Sequence, residues 1–171
     1  NVDLMHGLPA QTAADAVADL RRALDAGITH ISWYQLTIEA NTAFHRAPPE
    51  LPDEDTLARI EDDGAALLES HGFDRYEVSA WCLPRERARH NVNYWTFGDY
   101  LAIGAGAHGK VSQWRGNALS IARYQKTRVP DDYLRDPSRR QQASVSDEAR
   151  IGEFMLNVLR LRDGVDESLF A

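Results

Sequence analysis

The chain has 171 residues, of which 43% are hydrophobic, and a formal net charge of −7; that is enough apolar material for the core of one ordinary domain, or of one domain and part of another. The acidic balance and the lack of a sustained Lys/Arg tract exclude a surface built to neutralise nucleic-acid phosphates. No apolar run is long enough to span a bilayer, and the start, Asn-Val-Asp-Leu-Met-His-Gly, lacks a signal-peptide pattern, so the expected compartment is the cytoplasm.

Asn1 to Met5 reads as a short buried strand, followed by Gly-Leu-Pro. Thr12 is a good helix N-cap with Asp15 three residues on and Gly27 as a stop, and Ala13, Val17, Leu20 and Leu24 recur on one helical face. His30 to Leu36, aromatic and β-branched, fits a second strand, and Thr37 to Pro52 a loop. Asp53 to His71 forms a second helix with Leu57, Ile60, Leu67 and Leu68 inward, and Tyr76 to Ala80 a third strand. Alternation of this kind implies parallel βα units, in which function collects at the C-terminal strand ends: Met5 to Pro9, Gln35 to Glu39 and Ala80 to Cys82.

Beyond Trp81 the pattern changes. An Arg-rich stretch leads into HNVNYW (90–95) and then a Gly-rich segment with one expected strand around Tyr100 to Ile103. Arg115 to Val145 is polar and reads as an irregular connection with short helical turns. Ser146 caps a last helix with Ile151, Phe154, Met155, Val158 and Leu159 along one side, read as the opening of a second small domain.

Cys82 is the only cysteine, so this chain can form no internal disulfide and no cysteine-built iron–sulfur or zinc site. Asn1 in place of an initiator Met, within an apolar pattern already under way, is expected of a piece of something longer. His90 and Tyr94 are four apart, on one face if the segment is helical; an imidazole or a phenolate can ligate haem iron, and a hydrogen-bonded core turn is the competing reading. Gly104, Gly106 and Ala107 permit either a tight turn or close approach to a ligand. Asp3 would be costly to bury in a strand unless it pairs with a neighbour or accepts from a ligand's hydroxyls or ammonium. No Ser-His-Asp order, HExxH or acid–base carboxylate pair supports a hydrolase.

Six blocks, DLMHGLPAQT (3–12), SWYQLTIEANTAF (32–44), YEVSAW (76–81), HNVNYW (90–95), FGDYLAIGAGAHGKV (97–111) and EFMLNVLRLRDGV (153–165), together resemble the oxygen-independent coproporphyrinogen III oxidase-like radical S-adenosylmethionine family, nearest to its haem-chaperone (HemW) branch. The resemblance implies an α/β fold: the last part of a partial TIM-type (βα)6 barrel over residues 1–80, a connecting α+β region over 81–145, and the start of a helical C-terminal domain over 146–171. It implies a 4Fe-4S cluster whose cysteine ligands lie upstream of this chain, S-adenosylmethionine contacted by Asp3, Thr37, Gly104, Gly106 and Ala107, and haem contacted by His90, Asn91 and Tyr94, with His90 or Tyr94 on the iron. Expected partners are haem or a porphyrinogen, haem-accepting respiratory proteins with peripheral membrane contact through them, and a second copy in a homodimer. Two other readings stay open: oxidative decarboxylation of coproporphyrinogen III, whose enzymes resemble the HNVNYW block less well, and a purely structural or interaction role for this portion.

Overall fold

The computed structural model describes residues 1–116 and 118–170. The chain divides into two compact units, residues 1–88 and 89–171.

In the first unit β1 (Val2–His6), α1 (Ala13–Asp25) and β2 (His30–Gln35) form a βαβ unit whose strands pair in parallel, Asp3 opposite Ser32 and Met5 opposite Tyr34. Thr12 and Asp15 cap α1 reciprocally, as their spacing requires. A short α2 (Ala43–Arg46) interrupts the expected loop, and α3 (Glu54–Ser70) follows, its N-cap Asp53 accepting from the Thr56 N–H. The parallel pattern then stops. Where one strand was expected over Tyr76 to Ala80, the chain folds as a hairpin of β3 (Asp74–Glu77) and β4 (Ala80–Cys82), and the sheet order is β1-β2-β4-β3. β4 runs antiparallel to β2 because Val78 and Ser79 reverse the chain in two residues, leaving no room for a crossover helix.

Helices α1 and α3 cover one face of this sheet. Leu20, Ile31, Ile60 and Leu68 are wholly buried there, each contributing about 1.5–3 kcal/mol by leaving water. Trp33 lies among them, flat against the backbone of α3 at Gly64: a Cβ on that glycine would sit 1.9 Å from the indole Cη2.

The second unit contains α4 (Arg89–Trp95), the antiparallel strands β5 (His108–Arg115), β6 (Ala118–Lys126) and β7 (Arg140–Ser144) in that order, α5 (Pro130–Arg135) and α6 (Asp147–Val158), then a 3₁₀ turn over Glu167–Leu169. The expected strand at Tyr100 to Ile103 is reduced to a single bridge between Tyr100 and Lys110. About half of the 115–145 stretch, expected to be irregular, is sheet, and α5 is one of the short helical turns expected there. In β6 only Ile121 and Tyr124 are buried, and β7 is exposed throughout, so neither strand carries a strong apolar signal; backbone pairing to a neighbour holds them. Along α6 only Phe154 and Val158 are buried, while Ile151, Met155 and Leu159 of the expected stripe face solvent.

Substituting Gly64→Ala should therefore cost about 1–3 kcal/mol or more through forced displacement of Trp33, read as a lower denaturant midpoint. Gly152→Ala on α6, where nothing lies within 4 Å of the added methyl, should be neutral or gain up to about 1 kcal/mol.

Candidate functional site

In the first unit the two faces of the sheet have separate tasks. Leu4 and His6 of β1 point with Trp33 toward the helices, whereas Asp3 and Met5 share the opposite face with Ser32 and Tyr34. Asp3, Met5 and Tyr34 are exposed there. The expected burial of Asp3 is thus corrected: period-two alternation puts its carboxylate on the open face, where it accepts from the Asn1 amide at 3.1 Å. Thr37, just past β2, is also exposed, its hydroxyl 3.4 Å from Glu39.

Two histidines of this unit are buried by contrast. His30 Nδ1 lies 2.6 Å from Asn1 Oδ1 and Nε2 lies 2.8 Å from the Tyr76 hydroxyl. Because an amide oxygen only accepts, Nδ1 carries the proton and Nε2 accepts from Tyr76. His6 packs tilted against Trp33 with ring centroids 4.4 Å apart, and its Nε2 is 3.2 Å from Glu61 Oε1. The His6 imidazole is the main influence holding the Glu61 carboxyl below its ordinary acidity range, against the opposing effect of partial burial.

In the second unit the HNVNYW segment is helical, and its residues divide. Asn93 closes the helix: its carbonyl accepts from Gly98 N–H at 2.7 Å and its amide donates to the Asp99 carbonyl at 2.9 Å. Gly98 is required there, since a Cβ would lie 2.2 Å from Asn93 Oδ1. His90 projects from the first turn into solvent, its ring 6.3 Å from that of Tyr94 and nearly perpendicular to it. Asn91 is half-buried. Tyr94 is held edge-on against Tyr100 at 4.8 Å and, with Trp95, Phe97, Gly98, Lys110, Arg123 and Asn157, lines a cavity of about 240 Å³.

Both cations of that cavity are already engaged. Lys110, only 2% exposed, gives its ammonium protons to Phe97 O at 2.7 Å, Asp99 Oδ1 at 3.3 Å and Ser112 Oγ at 3.4 Å, and lies over the Phe97 ring. Burial pushes this ammonium below the usual lysine range, with Asp99 acting in the opposite direction. Arg123 donates to Glu153 at 2.7 Å and to the Tyr100 hydroxyl at 2.8 Å. The cavity is consequently an aromatic slot whose two cations are each met by a carboxylate, Asp99 for Lys110 and Glu153 for Arg123. Trp95 Nε1 is buried in its wall with no hydrogen-bond partner.

Gly104 and Gly106, with φ of +106° and +73°, form the turn into β5. Gly104 N–H donates to the Tyr133 hydroxyl, Gly106 N–H to the Thr127 carbonyl, and Ala107 N–H back to Gly104. The turn thus has a structural task in its own unit. Lys110, Asp99, Arg123 and Glu153 were not singled out from sequence; Asp99 and Lys110 stood inside one quoted block and Glu153 opened another, but nothing local marks a lysine that will be buried. Among the described residues no group of three or more His, Cys, Asp and Glu side chains could hold a metal ion, and the single cysteine, Cys82, is buried. A 4Fe-4S cluster does not fit this chain.

No protein-family profile matches the chain. A solved structure described as the coproporphyrinogen III oxidase HemN of Escherichia coli, a radical SAM enzyme, superposes on 97% of the chain and 41% of its own with a TM-score of 0.70 at 16% identity. That likeness defines the class of fold, a portion of a radical S-adenosylmethionine α/β architecture. In sequence, the chain is 47% identical over 170 residues to the heme chaperone HemW of Haemophilus influenzae and 46% identical over 161 residues to that of Escherichia coli, covering 99% and 94% of this chain. A mouse radical S-adenosyl methionine domain-containing protein 1, mitochondrial, is 38% identical over 141 residues, covering 80% of this chain and 32% of its own. The chain belongs to the HemN-like radical S-adenosylmethionine family, on its HemW branch. It spans less than half the length of the HemW proteins, 44% and 42% respectively. No helix among the described residues is long and apolar enough to cross a membrane.

Asp99 gives the site a defined pH response. Burial tends to raise its pKa, but the Ser112 N–H and hydroxyl and the Lys110 ammonium outweigh it and hold the carboxyl below the ordinary aspartate value. A carboxyl lowered in the folded state contributes stability that is full above its unfolded value and is lost as pH falls through the folded one. Asp99→Asn should then cost about 1–2 kcal/mol at neutral pH, allowing for its solvent-facing edge. In pH-dependent denaturant titrations the deficit should vanish below the folded pKa.

Proposed function

We propose that this chain is the haem-binding portion of a haem chaperone of the HemW type. The single observation that carries the reading is the exposed His90 imidazole standing one helical turn from Tyr94, itself a wall of an aromatic, charge-balanced cavity. Haem is the cargo. His90 or Tyr94 supplies a nitrogen or oxygen to its iron, Asn91 sits on the turn between them, and the aromatic slot takes one edge of the porphyrin. An axial ligand on the protein surface suits a protein that must give its cargo up, because an acceptor can reach the iron without unfolding the donor. The name of these relatives, heme chaperone, supports the same assignment.

The S-adenosylmethionine contacts belong to this proposal too. In this reading Asp3, on the open sheet face, accepts from the ligand's hydroxyls or ammonium; its exposure and the position of Thr37 just beyond the next strand support it. Gly104, Gly106 and Ala107 are assigned to the same cofactor by family resemblance. When bound, the cluster and S-adenosylmethionine would supply reductive radical chemistry; this chain contributes orientation and no cluster ligand. Residues 1–80 would be the barrel portion, 81–145 its connecting region and 146–171 the start of the C-terminal domain, with haem-accepting respiratory proteins as recipients, peripheral membrane contact through them, and homodimer formation. The oxidase reading draws on the HemN fold likeness; at 16% identity that likeness reaches the fold alone.

In the full-length protein, His90→Ala combined with Tyr94→Phe should weaken haem binding about tenfold or more, with the thermal melt unchanged. Soret titrations check it, and an unaltered titration would remove both residues from the iron.

A further inference from the structure

At the far end of the second sheet a hollow of about 350 Å³ is lined by Gln125, Lys126, Thr127, Arg128, Arg139, Arg140 and Gln141. Lys126 stands directly opposite Arg140 in the β6–β7 register, and Gln125 opposite Gln141. Like charges placed opposite each other across a strand pair destabilise it. Among the described residues no carboxylate comes within ion-pair distance of Lys126, Arg128, Arg139 or Arg140. Asp136, which attracts Arg139, is already occupied by the Ser138 N–H and hydroxyl. What partly offsets the repulsion is neutral: Lys126 donates to the Pro137 carbonyl at 2.7 Å, and Arg140 lies 5.2 Å from the Tyr124 ring centroid. A chain of net charge −7 thus concentrates four cations in one concavity, with only Asp136 acting on one of them and from beyond ion-pair distance.

A second observation comes from Thr127. Its Oγ1 is buried without a hydrogen-bond partner, while its backbone carbonyl is fixed by Gly106 N–H at 2.7 Å. A buried hydroxyl without a protein partner is one that a bound water or a ligand oxygen can satisfy.

We propose that this hollow is a binding site for the phosphate or pyrophosphate group of a small molecule. Planar guanidinium forks engage such oxygens in pairs, an ammonium adds a point charge, and the Thr127 hydroxyl donates to a remaining oxygen. The hollow has the size of the smaller ligand sites and is concave rather than an extended stripe, which favours a small phosphorylated ligand over a nucleic-acid strand. The site stands independently of the haem reading, sharing none of its residues.

The test is calorimetric titration of the full-length protein with sodium pyrophosphate, ionic strength held constant with chloride. The expected result is saturable one-to-one binding that Arg128→Gln with Arg140→Gln weakens about tenfold or more, and Thr127→Val by a few-fold. Arg21→Gln, at an exposed position of α1, should leave it unchanged. Because Thr127→Val keeps the shape of the side chain, it reads the site even where the double variant lowers the melting temperature. Absence of saturable binding overturns the proposal, as does equal binding by the Thr127 variant and a folded double variant. Citrate binding as tightly as pyrophosphate, or an oligonucleotide binding more tightly than either, overturns the phosphate assignment.

Discussion

One buried ammonium organises the second unit. A lysine taken out of water is tolerated only when its protons are satisfied and its charge is met, and Lys110 achieves both with the Phe97 carbonyl, Asp99 and Ser112. Phe97 and Asp99 directly follow the turn that ends α4, so the same contacts fasten that turn to β5. Asn93 then ties the helix to the Asp99 carbonyl, and Tyr94 is set against Tyr100. Remove the ammonium's partners and the aromatic slot loses the wall that aligns it. The buried charge is thus less a source of stability than a device for holding one particular arrangement.

The first unit rests on a simpler rule, strand alternation. The helix-facing residues of β1 and β2 enter a tight core in which Trp33 packs on a glycine of α3, leaving the alternate residues to form an open polar-aromatic face. This division was legible in the sequence of the helices and of the first two strands, where caps and period agreed. It failed at Asp3, where a strand was taken as buried on both sides, and at Tyr76 to Ala80, where a two-residue reversal looks in sequence like the middle of one strand.

Legibility was poorer in the second unit for a physical reason. Strands with one wet face and few buried side chains, such as β6 and β7, carry little periodic signal; their order comes from backbone pairing, which composition does not encode. The HNVNYW motif was visible, but its division of labour was not: Asn93, though exposed, closes the helix end, Tyr94 and Trp95 build the cavity wall, and His90 is offered to solvent. Nor does any sequence pattern distinguish a lysine that will be buried, like Lys110, from the exposed cations of the β6–β7 hollow. The HemN fold likeness and the HemW sequence likeness are compatible because a shared scaffold can host different sites.

The most direct test of the haem-chaperone account uses the full-length protein, reconstituted anaerobically with its cluster and S-adenosylmethionine, given haem in one arm and coproporphyrinogen III in the other. The account predicts a saturable shift of the Soret band with haem and no protoporphyrinogen from the second arm. Porphyrinogen turnover without a specific Soret shift would contradict it and make the HNVNYW helix a structural element of an oxidase.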